Sequence, residues 1–173
     1  RWVCHAMGQE IPAHGDAETL ARISQRFDYA FEPLDPKANR FFYKPVLIAS
    51  PFDGPFEAAG LKVVPFKQDH GYSYSYGFRI GDFAYSTDVF QLDDAAFDVL
   101  AGVDTWIVDA LQITPHPTPA HLERTLEWIE RVKPRQAVLT HMNTQMDYRS
   151  LLDRLPAHVV PAYDGMELTL TPG

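Results

Sequence analysis

The amino-acid sequence predicts an α/β protein, with strands and helices layered in a single domain that spans residues 1–173. Apolar side chains make up 46% of the chain and charged ones 22%, which is typical of a globular domain and not of a disordered one. In the second half, short apolar runs alternate with segments of helical periodicity, the pattern of layered α/β folds. In the first half, β-like runs are separated by Pro and Gly, which indicates strands joined by turns.

The first half is predicted to contain one helix followed by strands. Asp16 is a suitable N-cap for a helix that ends near Arg26. Polar and aromatic residues alternate with a period of two from Tyr72 onward, which predicts a strand, and residues 79–82 are typical of a hairpin turn. The predicted strands of this half cover residues 46–49, 61–66, 72–80 and 82–86.

The second half is predicted to alternate between strands and helices. A helix over 119–132 places Leu122, Leu126 and Ile129 on one face, with Thr118 as its N-cap and Pro119 at its first position. Pro134 ends that helix. The other predicted helices cover 93–100 and 148–154, and the predicted strands cover 105–109, 137–139, 159–162 and 167–170.

The charge and the cysteine content exclude several classes of function. The chain carries 15 basic and 23 acidic residues, a net charge of −8, so nucleic acid is not an expected partner, although a metal ion can hold a small anionic substrate. The single cysteine, Cys4, excludes an internal disulfide and a cysteine-based zinc site. No apolar run approaches the roughly 18 residues that cross a bilayer, and no signal-peptide pattern is present, so we expect no membrane partner and a cytoplasmic location.

Three polar residues follow predicted strands at the point where each strand ends. They are His70, Asp88 and His141. Loops that leave strand ends are the usual place for a site in layered α/β proteins, and imidazole and carboxylate groups are suitable ligands for zinc or manganese. Taken singly, each residue has a structural alternative, since a strand-end histidine is often a packed side chain and an aspartate there is often a turn residue.

Six short segments, taken in order, resemble the metallo-β-lactamase-fold hydrolases, and within them the phosphoribosyl cyclic phosphate phosphodiesterase branch. They read QDHG at 68–71, YGFRI at 76–80, AYSTD at 84–88, VDAL at 108–111, LTH at 139–141 and YDGM at 163–166. The resemblance extends from about residue 11 to residue 170. It implies a four-layered αββα sandwich with a dinuclear metal site along one edge.

The resemblance also implies roles for individual residues. His70 and His141 match metal ligands, and Asp88 matches the carboxylate that bridges two divalent ions, zinc or manganese, and takes part in catalysis. Two bridged ions polarise a phosphate and generate hydroxide at neutral pH. Asp109 is expected to form supporting hydrogen bonds and not to bind metal.

The sequence departs from the family pattern in its metal-binding signature. The family carries a His-x-His-x-Asp-His stretch, whereas the single Asp-His pair here is Asp69-His70, with Pro65 and Lys67 where the other histidines would stand. In the family that stretch lies upstream of the region that matches Arg1. The resemblance therefore implies that the chain covers roughly the C-terminal two-thirds of the fold, lacks part of its ligand set and, without the upstream strands, exposes a sheet edge through which it can form a homodimer.

A second departure concerns the catalytic histidine. Relatives in the phosphodiesterase branch often carry a histidine directly after Pro-Thr, and Pro119 stands there in this sequence. We assign the catalytic role to His121, with His116 as the alternative. The structural alternative is that both are exposed polar residues at a helix start.

The resemblance implies a metal-dependent hydrolase. Metal-bound hydroxide would open a phosphodiester in a small cyclic phosphate or a nucleotide. Other substrates of the same fold remain open, namely a lactone, a thioester or the 3′ end of a tRNA precursor. A different class also remains open, in which the domain is a non-catalytic remnant that acts as a binding module.

Overall fold

The computed structural model describes residues 2–32, 46–114 and 120–170, and it divides the chain into two compact units. The first unit covers Arg1–Gly54 and the second covers Pro55–Gly173. The single domain expected over residues 1–173 stays a prediction. No helix in the described part of the chain is long and apolar enough to cross a membrane.

The described residues of the first unit form a two-stranded parallel sheet and three short helices. Its elements are α1 (Trp2–Met7), β1 (Ile11–Gly15), α2 (Ala17–Arg26), α3 (Asp28–Phe31) and β2 (Leu47–Pro51). Strand β1 pairs with β2 from Ile11 opposite Leu47 onward. The predicted N-cap is confirmed, because Asp16 accepts a hydrogen bond from the Thr19 amide at 3.0 Å. The elements α1, α3 and β1 are not predicted by the sequence pattern.

The second unit contains a seven-stranded sheet whose spatial order is the order of the strands along the chain. Its strands are β3 (Phe56–Ala58), β4 (Leu61–Asp69), β5 (Tyr74–Ile80), β6 (Phe83–Ser86), β7 (Thr105–Asp109), β8 (Gln136–Thr140) and β9 (Val159–Pro161). Strands β3 to β6 pair antiparallel and β6 to β9 pair parallel. The predicted hairpin turn is confirmed: Ile80 pairs with Phe83, and Gly81 has a φ of 56°.

In the described part of each connection, one helix joins each pair of parallel strands: α4 (Asp94–Leu100), α5 (Leu122–Val132) and α6 (Tyr148–Leu152). Right-handed crossovers that all step in one direction place their helices on the same face of the sheet. A single apolar cluster joins these helices to that face, with Trp106 and Leu139 of the sheet packed among Leu100, Ile129 and Leu151 of the helices.

Two predictions from the sequence are wrong. The helix predicted from residue 119 begins at Leu122, because the backbone before it is extended: the Ala120 amide donates to the Val89 carbonyl and the Leu122 amide to the Gln112 carbonyl. The N-cap position belongs to His121, and the predicted cap, Thr118, lies outside the described residues. Residues 167–170 alternate like a strand but pair with no strand in the described sheet, and a strand requires such a partner.

Candidate metal centre

The predicted site residues lie at one edge of the seven-stranded sheet. Strands β4, β6, β7 and β8 run in the same direction, because two antiparallel steps separate β4 from β6 and the later pairings are parallel. Their carboxyl ends therefore share one edge. His70 directly follows β4, Asp88 lies two residues beyond β6, Asp109 ends β7 and His141 directly follows β8. Such an edge is where α/β proteins bind ligands.

Asp88 and His141 are brought together at this edge. Nε2 of His141 lies 4.0 Å from Oδ1 of Asp88, a separation too long for a hydrogen bond. Both side chains are about half exposed, at 43% for His141 and 53% for Asp88. A carboxylate and an imidazole nitrogen thus face each other across a gap that is open to ligands.

His141 is oriented by a buried carboxylate. Its Nδ1 lies 3.2 Å from Oδ1 of Asp109, and Oδ2 of Asp109 accepts a hydrogen bond from the Val89 amide at 3.1 Å. Burial raises the pKa of Asp109, and the Val89 N–H and the His141 ring partly offset that rise. A carboxylate at Nδ1 favours the tautomer that leaves the Nε2 lone pair free to bind a metal. Nε2 is the nitrogen that faces Asp88.

The backbone at both residues is strained. Asp88 has a φ of 54° and His141 a φ of 60°, in the left-handed region that side chains other than glycine rarely adopt. Two other described non-glycine residues have positive φ: Ala59 in a turn and Lys133 at the C-cap of α5. Strain of this kind costs about 1–3 kcal/mol per residue and clusters at functional sites.

Backbone hydrogen bonds connect Asp69, the residue before His70, to the loop after β6 that contains Asp88 (the Asp88 loop). The Phe90 and Gln91 amides donate to the Asp69 carbonyl at 2.7 and 3.2 Å, and the Asp69 amide donates to the Gln91 carbonyl at 3.0 Å. Nδ1 of His70 is buried and has no hydrogen-bond partner among the described residues. No group of three or more His, Cys, Asp or Glu side chains is placed to hold a metal ion in the described ranges. The three-residue metal site stays a prediction.

His121 also lies at this edge and is half-buried, not exposed. It occupies the N-cap position of α5 without a side-chain capping bond, and its Nδ1 is buried with no partner in the part of the chain described. The preceding residue, Ala120, bonds to Val89, which follows Asp88. The catalytic role of His121 stays a prediction. His116 and Pro119 lie outside the described residues.

A cavity of about 390 Å³ opens beside the end of β4. Its lining consists of Lys67, Gln68, Asp69, Ser73, Tyr74, Gln91 and Asp93. Nζ of Lys67 lies 3.8 Å from the centre of the Tyr74 ring, a cation–π contact. With one cation against two carboxylates, the charge of this cavity does not favour an anionic ligand.

Two residues that support the edge were missed by the sequence analysis. Nε2 of Gln68 donates to Oγ of Ser75 and to the Thr87 carbonyl, and Oγ of Ser75 donates to the Asp88 carbonyl. A glutamine within a strand is ordinarily expected to face solvent. The signal that could have found it is its spacing of two from Phe66, which places both side chains on the core face.

The fold and the edge residues together define a metallo-β-lactamase-type α/β domain. Residues 3–142 match the family model of the beta-lactamase superfamily domain, so the chain belongs to this family. The fold predicted from the sequence is thereby confirmed.

Three similar proteins carry different names. A solved diphosphatase of the PhnP family is 26% identical, with a TM-score of 0.81 over 94% of this chain. An octanoyltransferase from Porphyromonas gingivalis is 26% identical over 92% of this chain. Zn²⁺-bound PqqB from Methylobacterium extorquens is 16% identical, with a TM-score of 0.60 over 94% of the chain, which shows the fold alone. The chain spans 59% of the diphosphatase, 32% of the octanoyltransferase and 66% of PqqB.

Proposed function

We propose that this domain belongs to a metal-dependent hydrolase that cleaves a phosphodiester bond in a small anionic substrate, a cyclic phosphate or a nucleotide. The observation that carries the proposal is the Asp88–His141 pair, which lies at an open sheet edge of this chain. The similarity of the fold to that of a PhnP-family diphosphatase supports the choice of a phosphate substrate. The net charge of −8 favours a small substrate over a polynucleotide.

The donor atoms at the edge fit divalent metal ions. Nε2 of His141 faces the Asp88 carboxylate while Asp109 occupies Nδ1, and His70 has a buried Nδ1 with no partner among the described residues. Nitrogen and carboxylate oxygen are the ligand types that zinc and manganese accept, and a relative of the same fold is zinc-bound. His70, Asp88 and His141 would hold the divalent ions. When bound, divalent ions activate water and offset the charge that develops on a phosphate.

The other edge residues would position groups and move a proton. Asp109 would keep the His141 ring in one orientation through the 3.2 Å contact at Nδ1. His121 would deliver a proton to the leaving oxygen, because its imidazole is half-buried at the same edge and its Nδ1 has no partner among the described residues.

A second candidate is cleavage of a diphosphate bond, which is favoured by the name of the diphosphatase relative. The octanoyltransferase is a weaker guide, because the chain spans 32% of it. The remaining metal ligands are proposed to come from other parts of the natural polypeptide.

The test measures hydrolysis by the natural polypeptide that contains residues 1–173. After metal is stripped with a chelator, a cyclic ribose phosphate, a linear diester, a diphosphate, a lactone and a thioester are supplied with and without Mn²⁺ or Zn²⁺. We expect metal-dependent cleavage of the phosphodiesters, and loss of that activity in Asp88→Ala. Asp98→Ala, an exposed aspartate on α4, is the matched control. Metal-independent turnover, or an active Asp88→Ala variant, would reject the proposal, and no turnover of any substrate would favour a binding module.

A further inference from the structure

A chain of hydrogen bonds connects the core of the sheet to the main chain of Asp88. Nε2 of Gln68 donates to Oγ of Ser75 at 2.9 Å and to the Thr87 carbonyl at 3.0 Å. Oγ of Ser75 donates in turn to the Asp88 carbonyl at 2.8 Å. Two successive carbonyls of the Asp88 loop are therefore held by side chains from β4 and β5.

The direction of these bonds is fixed by chemistry. Carbonyl oxygens only accept, so Ser75 must direct its hydroxyl hydrogen at Asp88 and can only accept from Gln68. Gln68 must then present its amide nitrogen, because both Thr87 and Ser75 require a donor. Both amide hydrogens are used, and Oε1 of Gln68 is buried with no partner among the described residues.

The position of Gln68 is built into the core. The side chain is 1% exposed and shares the core face with Phe66. Gly77 on the neighbouring strand makes room for it, since a Cβ at residue 77 would lie 2.7 Å from Oε1 of Gln68 and closer still to the Phe66 ring. An unpartnered buried oxygen costs free energy, so the stabilising contribution of this amide comes from its two donated hydrogen bonds.

We infer that Gln68 and Ser75 are positioning residues that hold Asp88 in the left-handed conformation in which its carboxylate faces His141. The inference rests on the proposed function, because it assigns the purpose of that conformation to metal binding. A φ of 54° is unfavourable for aspartate, and it persists when surrounding contacts fix the chain. The bonds to the Thr87 and Asp88 carbonyls supply that restraint. Gln68 also lies on β4, two residues before His70. The same strand therefore supplies a donor to the Asp88 loop and leads directly into a second predicted metal ligand.

The experiment measures Mn²⁺ affinity by competition with a chelator in the natural polypeptide, with melting temperature, kcat and KM recorded in parallel. Ser75→Ala removes the last donor, and Gln68→Glu replaces the amide with an acceptor of the same shape. We expect both to weaken Mn²⁺ binding by about tenfold or more, the usual effect of losing a residue that orients a ligand. We expect kcat to fall more than KM rises. Ser75→Thr keeps the hydroxyl and should recover most of the loss.

Ser86→Ala is the matched control. Its buried hydroxyl accepts a hydrogen bond from Nε1 of Trp106 at 3.0 Å, so its loss should lower the melting temperature and leave Mn²⁺ affinity unchanged. If Gln68→Glu does not fold, Ser75→Ala decides. A parent that binds Mn²⁺, with a Ser75→Ala variant that binds it equally well, overturns the inference and leaves the proposed function intact. A parent that binds no divalent metal rejects the proposed function and this inference with it.

Discussion

Nδ1 of His141 lies 3.2 Å from Oδ1 of Asp109, so a half-exposed imidazole is held by a carboxylate that is 2% exposed. The same carboxylate accepts the amide of Val89, the residue that follows Asp88. The Asp109 carboxylate therefore contacts the side chain of His141 and the backbone amide next to Asp88, so it supports both residues of the pair. Because Asp109 is buried, loss of either contact would destabilise the protein, since a buried acceptor without a partner costs free energy.

Asp109→Asn should weaken Mn²⁺ binding by about 10- to 100-fold, the range found for residues that orient metal-binding histidines. An amide nitrogen turned toward His141 would favour the tautomer with the proton on Nε2, the nitrogen that faces Asp88. Mn²⁺ affinity is measured by chelator competition. Asp104→Asn, which lies just before β7 at the opposite edge of the sheet, is the control. Equal affinity in Asp109→Asn and the parent would contradict the assigned role.

Asp88→Gly should be more stable than Asp88→Ala by about 1 kcal/mol, although both remove the carboxylate. Glycine adopts a φ of 54° without the penalty that a Cβ brings. The free energy of unfolding of the two variants is compared by urea titration. Gly81→Ala introduces a Cβ at a φ of 56° in the hairpin turn. The decrease in its free energy of unfolding measures the penalty for a Cβ in the left-handed conformation at a second position. Equal stabilities of the two residue-88 variants would show that the left-handed conformation exerts no strain there.

The stability supplied by Asp104 should depend on pH. Its hydrogen bonds with Arg135, at 2.9 Å for the shortest, lower the pKa of the carboxyl below its usual value. A carboxyl whose pKa is lower in the folded state stabilises the fold above its unfolded pKa of about 4, and the contribution disappears as the pH falls through the folded value. Asp104→Asn should therefore destabilise the protein at pH 7 and have little effect near pH 2.

Urea unfolding of both proteins at several pH values between 2 and 7 measures this difference. Asp98→Asn on α4 is the control for general charge effects, since its side chain is exposed. A destabilisation by Asp104→Asn that is constant across the range would exclude the ion pair as its cause.

Residues 1–173 expressed alone should associate with themselves. Strands β1 and β2 form a two-stranded sheet with no third strand among the described residues, and such small sheets are marginally stable and pair through their edges. Mass in solution is measured by light scattering, and cooperativity by thermal melting. A monodisperse monomer with one sharp transition would contradict this prediction.

The sequence predicted the parallel half of the sheet better than the details that surround it. The strand at Thr105–Asp109 was predicted with its observed bounds, because a continuous apolar run in a parallel strand is a strong local signal. The extended backbone before α5 could not be predicted, since the Val89 carbonyl that accepts from the Ala120 amide belongs to a distant part of the chain. Residues 167–170 were predicted wrongly because alternation indicates a strand without indicating a partner.

Part of the candidate site was also predictable from the sequence. Asp88 and His141 could be named from their strand ends and from the family resemblance, and the structure brings them together. The spacing of two from Phe66 could have placed Gln68 on the core face. Its hydrogen bonds to Ser75 and to the Thr87 carbonyl could not be predicted, because they depend on which way the amide points inside the sheet.

The strand order of the seven-stranded sheet has a kinetic consequence. Each strand from β4 to β9 pairs with the one just before it, so no strand of this sheet waits for a partner made much later. Pairing between consecutive strands closes shorter loops than pairing between distant strands would, and shorter loops close faster. During synthesis the sheet can therefore grow from β3 as each strand leaves the ribosome. His141 directly follows β8, so the candidate metal site is among the last features of the sheet to be completed.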